Sequence, residues 1–121
     1  MTIAAIDFQT LANAGFPPAT FNAGDVIFAA GDKGDKMYVV RIGEVEIERD
    51  GKLVETLSAG GIFGEMASID GSPRAATARA KTACEVAPIT EKTFLFLVHE
   101  TPYFAIAVMR TLADRLRRSR P

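Results

Sequence analysis

Short apolar runs alternate with turn residues between residues 21 and 89, and this rhythm predicts β-strands. Residues 44–48 alternate strictly, so that Val45 and Ile47 share one face and three glutamates share the other. This pattern is typical of a half-buried strand. Other predicted strands lie at residues 26–28, 37–42, 53–57, 76–80 and 84–89.

The turns between these runs indicate how the strands pair. Asp50-Gly51 separates two apolar runs, which predicts a hairpin closed by a tight two-residue turn. Glycine recurs in nearly every other gap between residues 24 and 71. Many short strands at this spacing predict an antiparallel sandwich or barrel.

Helical patterns lie at both ends of the chain. Residues 8–14 predict a short helix before Pro17-Pro18 forces an extended path. Thr90 is a predicted cap for a helix whose apolar face begins at Phe94. A second helix is predicted to start at Thr101-Pro102, with proline in its first position. Its apolar stripe comprises Ala105, Val108, Met109, Leu112, Ala113 and Leu116.

Composition narrows the class of protein. The 121 residues are 48% hydrophobic and 24% charged, which is typical of one globular domain. No apolar run approaches the ~20 residues of a membrane span. The N-terminal residues show no basic region followed by an apolar region, so no secretory signal is expected. Cys84 and His99 are the only cysteine and histidine, which excludes an internal disulfide and a histidine- or cysteine-rich metal site. We therefore expect a cytoplasmic protein with no metal.

The net charge is −1, but positive charge is concentrated in a cluster of arginines at the C-terminus. Two interpretations remain open for this cluster. It binds an anion or a partner, or, as we favour, it complements the negative end of a terminal helix dipole. The cluster consists of Arg110, Arg115, Arg117, Arg118 and Arg120.

Residues 63–76 (FGEMASIDGSPRAA) do not form a simple strand pattern. Gly64 permits close backbone approach, and the four residues that follow it are predicted to form one helical turn with anion-binding amides. The guanidinium fork of Arg74 matches phosphate geometry, and the Glu65 carboxylate can accept a hydrogen bond from a hydroxyl. The segment therefore predicts a site for a phosphate joined to a sugar.

This segment resembles the phosphate-binding cassette of the cyclic-nucleotide-binding domain family, F-G-E-x-A…P-R-A-A. It is similar to the cassette of cAMP-dependent protein kinase regulatory subunits, and residues 79–87 resemble the following strand pair in bacterial catabolite activator proteins. Residues 24–28, 31–32, 37–40 and 43–45 also fit the family's barrel. The resemblance covers about residues 20–118.

The resemblance implies a mainly β fold with flanking α-helices. This fold is an antiparallel double-stranded β-helix, a jelly-roll-like barrel, with a short N-terminal helix, a short cassette helix and two C-terminal helices. Residues 1–121 are interpreted as a single domain. The barrel occupies about residues 20–89 and the C-terminal helices about residues 90–118.

The resemblance also implies a role for each site residue. Glu65 accepts the ribose 2′-hydroxyl, Arg74 pairs with the cyclic phosphate, and the amides of Ala67 and Ala75 contact phosphate oxygens. Gly64 supplies backbone contact near the ribose. Apolar side chains of the barrel are expected to form the rest of the surface on which the nucleotide lies, which we call the apolar bed. The predicted ligand contacts are Phe63, Gly64, Glu65, Met66, Ala67, Arg74, Ala75, Ala76, Val45 and Ile62, with Val39 as a further bed residue.

The expected ligand is cAMP, bound in preference to cGMP. Family members that select cGMP often carry threonine after the cassette arginine, and here that position is Ala75. The last helix is expected to act as a moving lid. One of Arg115, Arg117, Arg118 and Arg120 is expected to stack on adenine.

The expected function is that of a stand-alone cyclic-nucleotide sensor, with no cofactor, no catalysis and no membrane contact. An unidentified effector protein is a further expected partner. The alternative is the sensing half of a catabolite-activator-type transcription regulator whose DNA-binding domain lies outside this chain, since this chain is not expected to contact DNA itself. A metal-dependent cupin-type enzyme and an ion-channel sensor are disfavoured.

Each singled-out residue also has a purely structural interpretation. Glu65 could cap its own helical turn, and Arg74 could form a weak surface ion pair. Cys84 is interpreted as a core thiol. His99 is interpreted as a solvated or capping residue near a helix end.

Overall fold

The computed structural model describes residues 17–118, so the helix expected at residues 8–14 and the side chain of Arg120 lie outside the described part. Eight strands form two antiparallel four-stranded sheets. The strands are β1 (Ala19–Phe21), β2 (Val26–Phe28), β3 (Lys36–Ile42), β4 (Val45–Arg49), β5 (Lys52–Leu57), β6 (Ile62–Phe63), β7 (Thr77–Ala80) and β8 (Cys84–Thr90).

One sheet has the order β1-β8-β3-β6 and the other β2-β7-β4-β5. Three helices complete the described fold: α1 (Glu65–Asp70), α2 (Glu91–Glu100) and α3 (Tyr103–Arg118). α1 is the cassette helix, because it lies between β6 and β7. The predicted mainly β fold with cassette and C-terminal helices is confirmed.

The hairpin between β4 and β5 forms where the sequence predicts it. Arg49 pairs with Lys52, and the two turn residues adopt positive φ, 54° at Asp50 and 74° at Gly51. Both central residues of a type I′ turn require this conformation, which aspartate tolerates and glycine favours.

Two clusters of buried side chains hold the layers together. The first lies between the β1-β8-β3-β6 sheet and helices α2 and α3, and the second lies between the two sheets. The first comprises Met37, Val39, Ile62, Ala87, Ile89, Leu97, Phe104 and Val108. The second comprises Val40, Val45, Leu57, Phe63, Ala78, Ala80, Cys84 and Val86.

Cys84 lies in the second cluster with only 4% of its surface exposed. Burial, and secondarily the charge of Asp25, raises the pKa of its thiol. A raised pKa leaves little reactive thiolate, which agrees with the interpretation as a core residue.

The C-terminal helices differ from the sequence prediction in two respects: α3 begins at Tyr103, so Pro102 precedes its first residue, and its buried stripe is narrower than predicted. Thr90 caps α2 as predicted, because its hydroxyl accepts a hydrogen bond from the Thr93 amide at 3.3 Å. The predicted stripe of α3 is too wide, since Met109 is 57% exposed. Only the line through Phe104 and Val108 is fully buried, because residues four apart form the row that meets the sheet. None of the helices described between residues 17 and 118 is long and apolar enough to cross a membrane.

Candidate functional site

α1 is bounded by two glycines in the left-handed conformation. Gly64 precedes it with φ 76° and Gly71 ends it with φ 72°. A Cβ atom on Gly64 would lie 2.6 Å from Nη1 of Arg74 and 3.3 Å from the carbonyl oxygen of Lys36. Any larger residue at position 64 would therefore displace the Arg74 guanidinium as well as strain the backbone.

The loop after α1 is held by a local network. Asp70 Oδ1 accepts hydrogen bonds from the Ser72 amide at 2.9 Å and the Ser72 hydroxyl at 2.5 Å. The Ser72 hydroxyl, followed by its amide, lowers the pKa of the Asp70 carboxyl. This network directs the chain from α1 back towards Arg74.

The backbone of Arg74 is fixed by the turn between β2 and β3. Its amide donates to the carbonyl of Asp32 at 2.8 Å, and its carbonyl accepts from the amide of Gly31 at 2.8 Å. Nη1 of its side chain donates to the carbonyl of Gly64 at 2.8 Å and Nη2 to that of Lys36 at 2.7 Å. The guanidinium is thus held between the cassette and the start of β3.

The Arg74 side chain is a buried cation whose charge is not neutralised by an ion pair in the described part of the chain. Arg74 is 5% exposed, and Nε is buried without a hydrogen-bond partner. Cζ lies 4.1 Å from the centre of the Phe28 ring. Burial lowers the pKa of Arg74, and electrostatic interactions with Tyr38 and then Asp35 only partly oppose that effect. Since buried charges are ordinarily paired, this arrangement is suited to receiving an anion.

Glu65 is the second buried charged residue, with 3% of its surface exposed. Its carboxylate Oε1 accepts a hydrogen bond from Nη1 of Arg115 on α3. Arg115 also donates from Nη2 to the carbonyl of Ile62 at 2.5 Å and from Nε to Glu55 Oε1 at 3.2 Å. One guanidinium therefore connects the last helix to β5, β6 and the cassette helix.

Arg118 strengthens the same connection. Its Nη2 lies 3.6 Å from Oε2 of Glu55, and its Nε lies 3.2 Å from Oδ2 of Asp114. Glu55 thus receives two arginines from α3 on one carboxylate, whose side chain is only 20% exposed. We call Arg115, Arg118, Glu55 and Glu65 the α3 latch.

A cavity of about 670 Å³ lies between the cassette, β4, β5 and α3. Arg74 and Glu65 both line it, so the structure brings together the two charged residues that the sequence pattern singles out. The predicted contacts that line it are Phe63, Gly64, Glu65, Met66, Ala67, Arg74, Ala75 and Ala76.

The structure does not bring the other predicted bed residues into this cavity. Val45 and Val39 are fully buried in the cores, and Ile62 lines a smaller cavity of about 360 Å³ beside α3. Strand alternation identifies an inward face but not the depth at which the barrel opens. Two residues after Val45 on the same face, Ile47 lines the larger cavity. The apolar wall is formed by Phe28, Ile47, Val54, Leu112 and Leu116.

Sequence reasoning missed Glu55 and Phe28 as residues of the site. Glu55 lies on β5, and no sequence signal pairs this strand with α3, which begins 48 residues later at Tyr103. Phe28 follows a strand pattern and resembles any core aromatic. Arg115 was among the expected base-stacking arginines, yet its ion pair with Glu65 had no signal in the sequence.

Metal-binding side chains are not gathered in the described range. Between residues 17 and 118, no group of three or more histidine, cysteine, aspartate or glutamate side chains is arranged to hold a metal ion. His99 has an 85% exposed side chain, 3.1 Å from Oε2 of Glu100. The interpretation of His99 as a solvated residue near a helix end is confirmed.

Comparison with known proteins agrees with this geometry. Residues 18–101 match the family described as cyclic nucleotide-binding domain. The catabolite activator protein of Thermus thermophilus superimposes with a TM-score of 0.83 at 29% identity, over 98% of this chain and 60% of that one. The cAMP-bound PfPKA-R (141–441) gives a TM-score of 0.75 at 28% identity, over 84% of this chain and 35% of that one.

A third similar protein is the EAL enzyme Bd1971. Its cGMP-bound form gives a TM-score of 0.67 at 34% identity, over 84% of this chain and 28% of that one. The chain therefore spans about three-fifths of the Thermus protein's length and smaller shares of the other two.

Proposed function

Because the chain belongs to the cyclic nucleotide-binding domain family, we propose that it is a cAMP receptor module whose helix α3 responds to the ligand. The observation that carries this proposal is Arg74, a buried guanidinium with an unpaired Nε and no carboxylate partner in the described chain, which lines a cavity of about 670 Å³. A ligand phosphate would supply the missing negative charge.

In this proposal each part of the nucleotide has its own surface. Arg74 holds the cyclic phosphate, with the amides of Ala67 and Ala75 on its oxygens. Glu65 accepts the ribose 2′-hydroxyl. The base lies against the apolar wall of the cavity, where Ile47 and Val54 face α3 residues such as Leu112.

The proposed lid role of α3 is supported by the ion pair between Glu65 and Arg115. In the structure the Glu65 carboxylate is bonded to Arg115, so a sugar hydroxyl must share that carboxylate or displace the arginine. Either event changes the contacts of α3 with the barrel. Differential contacts of this kind are what allow a ligand to shift a conformational equilibrium.

Preference for cAMP is proposed as a difference of degree. Ala75 lines the cavity without a hydroxyl that could bond the guanine amino group. Bd1971, at 33–34% identity, has both a cAMP-bound and a cGMP-bound form. Weaker binding of cGMP is therefore part of the proposal.

The proposed role is regulatory and non-catalytic. Glu65 and Arg74, the cavity residues assigned to the sugar and the phosphate, form no hydrogen bond with a nucleophilic side chain of the described residues that they could activate. The output passes through α3 to an effector protein that this chain does not identify. A cytoplasmic location stays a prediction.

A second candidate is the sensing part of a transcription regulator. Two similar structures favour it: the Thermus catabolite activator protein, and the N-terminal domain of a transcriptional regulator from Streptomyces coelicolor at 30% identity. Sequencing the gene on both sides of this segment separates the two. An adjoining DNA-binding domain supports the regulator, and a stop codon close after Pro121 supports the stand-alone sensor.

Calorimetric titration with cAMP tests the proposed function. Arg74→Ala removes one partner of a buried charge pair with the phosphate, which costs about 2–5 kcal/mol, or roughly 30- to several-thousand-fold in affinity. Arg79→Ala is the matched control, because Arg79 lies five residues away and pairs with Glu48 outside the cavity. Equal cAMP affinity in the wild type and Arg74→Ala would contradict the proposal.

A further inference from the structure

Three aromatic rings from three strands form a cluster, and two of them, Phe28 and Tyr38, lie beside the Arg74 guanidinium. Phe28 and Tyr38 lie with ring centres 6.0 Å apart, and Tyr38 stacks on Phe63 at 5.2 Å. Phe28 and Phe63 close the group at 5.9 Å. Cζ of Arg74 is 4.1 Å from the centre of Phe28 and 5.9 Å from that of Tyr38.

The edge and the face of the guanidinium have different partners. Two nitrogens on its edge donate to the carbonyls of Gly64 and Lys36, which leaves Nε without a hydrogen-bond partner. The face lies over Phe28, whose ring quadrupole attracts a cation at this distance. Arginine suits such stacking because its planar charge is weakly hydrated.

We propose that Phe28 is the positioning residue for Arg74, a role that rests on the proposed phosphate contact of that arginine. The carbonyl bonds fix two nitrogens and the Phe28 ring fixes the plane. The ring thereby keeps the guanidinium beside the cavity in the absence of a carboxylate partner. Phe28 lines the same cavity, whereas Tyr38 does not.

Close packing limits the space for any other arrangement. A Cβ atom on Gly64 would lie 3.3 Å from Cε2 of Phe28 and 2.6 Å from Nη1 of Arg74. Phe28 and Arg74 thus both lie against Gly64, in the space that a side chain at position 64 would occupy. Replacing the ring by leucine keeps an apolar side chain but removes the flat face, so the guanidinium is free to tilt.

Binding measurements on three variants test this role. Phe28→Leu is expected to weaken cAMP about five- to thirtyfold, and Phe28→Tyr to restore most of the affinity. Phe21→Leu is the matched control, because Phe21 is also half-buried against the same core cluster and does not line the cavity. Adenosine, which has no phosphate, is expected to lose less affinity than cAMP in Phe28→Leu, because the guanidinium that Phe28 positions has no phosphate to hold there.

A readout without ligand keeps this inference separate from the proposed function. Because Cζ of Arg74 lies 4.1 Å from the centre of the Phe28 ring, the NMR signal of the adjacent Nε–H proton is expected upfield in the wild type and in Phe28→Tyr. In Phe28→Leu the signal is expected to move downfield, and in Phe21→Leu to stay unchanged.

The two readouts separate the orientation of the guanidinium from the binding of cAMP. If the signal moves as expected but no variant binds cAMP, Phe28 orients the guanidinium and the proposed function fails. If the signal does not move in Phe28→Leu, or if that variant binds cAMP like the wild type, the positioning role is wrong. Phe28→Met, also apolar and without a ring, is measured in the same way if Phe28→Leu does not fold.

Discussion

Glu65 and Arg74 are the two charged residues that are buried in the described part of the chain, and their surroundings differ. The carboxylate of Glu65 is bonded to Arg115, which offsets the cost of removing it from water. Arg74 has carbonyl and aromatic partners that satisfy part of its surface but leave its charge unneutralised. A domain retains such a residue at a cost in stability, and sites of function are where such costs are expected.

The residue after Arg74 provides a test of base preference. Ala75→Thr adds a hydroxyl to a cavity-lining position, where it can bond the amino group of guanine. One such bond is worth about 0.5–1.5 kcal/mol, so cGMP affinity relative to cAMP is expected to rise about two- to tenfold.

Competition titration with both nucleotides measures this ratio. Ala75→Ser serves as a control for the hydroxyl without the added methyl group. An unchanged ratio in both variants would remove position 75 from the account of selectivity.

At the scale of secondary structure, α3 is attached to the barrel in two different ways. Phe104 and Val108 pack into the core at its start, and the α3 latch holds its last turns through charged hydrogen bonds. Phe104 and Val108 do not line the cavity, so a ligand there makes no direct contact with this packing. The latch shares Glu65 with the proposed sugar site, so the end of α3 is the part that can respond.

Removing the latch is expected to loosen the end of α3. Arg115→Gln removes hydrogen bonds to charged groups worth about 1.5–3 kcal/mol, so local opening should increase about ten- to a hundredfold. Amide hydrogen exchange over residues 112–118 measures it.

Arg110→Gln is the matched control, because Arg110 is an exposed arginine on the same helix with no ion pair to a described residue. Equal exchange in Arg115→Gln and the wild type would show that the latch does not hold the helix.

At the scale of the whole molecule, some features of the fold depend on neighbouring residues in the sequence, and others depend on contacts between distant parts of the chain. The hairpin at Asp50-Gly51 and the cap at Thr90 depend on nearby residues, and both were predictable. β6 was not, because two residues are too few to show alternation. The role of Glu55 was not predictable either, since its partner Arg115 is 60 residues away.

The site likewise combines a part that is continuous in the sequence with a part that forms only on folding. Its charged centre lies in one continuous segment, residues 63–76, and could therefore be identified from sequence. Its apolar wall comes from β2, β4, β5 and α3, which meet only after folding. Val45 and Ile47 illustrate the difficulty, because both face inward and only Ile47 reaches the cavity.

The central claim is that Arg74 binds the phosphate of a cyclic nucleotide, and its own side-chain signal tests this most directly. In the ¹⁵N-labelled chain titrated with cAMP, the Nε–H resonance of Arg74 is expected to shift and to saturate at one ligand per chain. Adenosine should leave it in place. An Arg74 resonance that does not change while cAMP saturates the protein elsewhere, or the absence of any cAMP binding, would contradict the account.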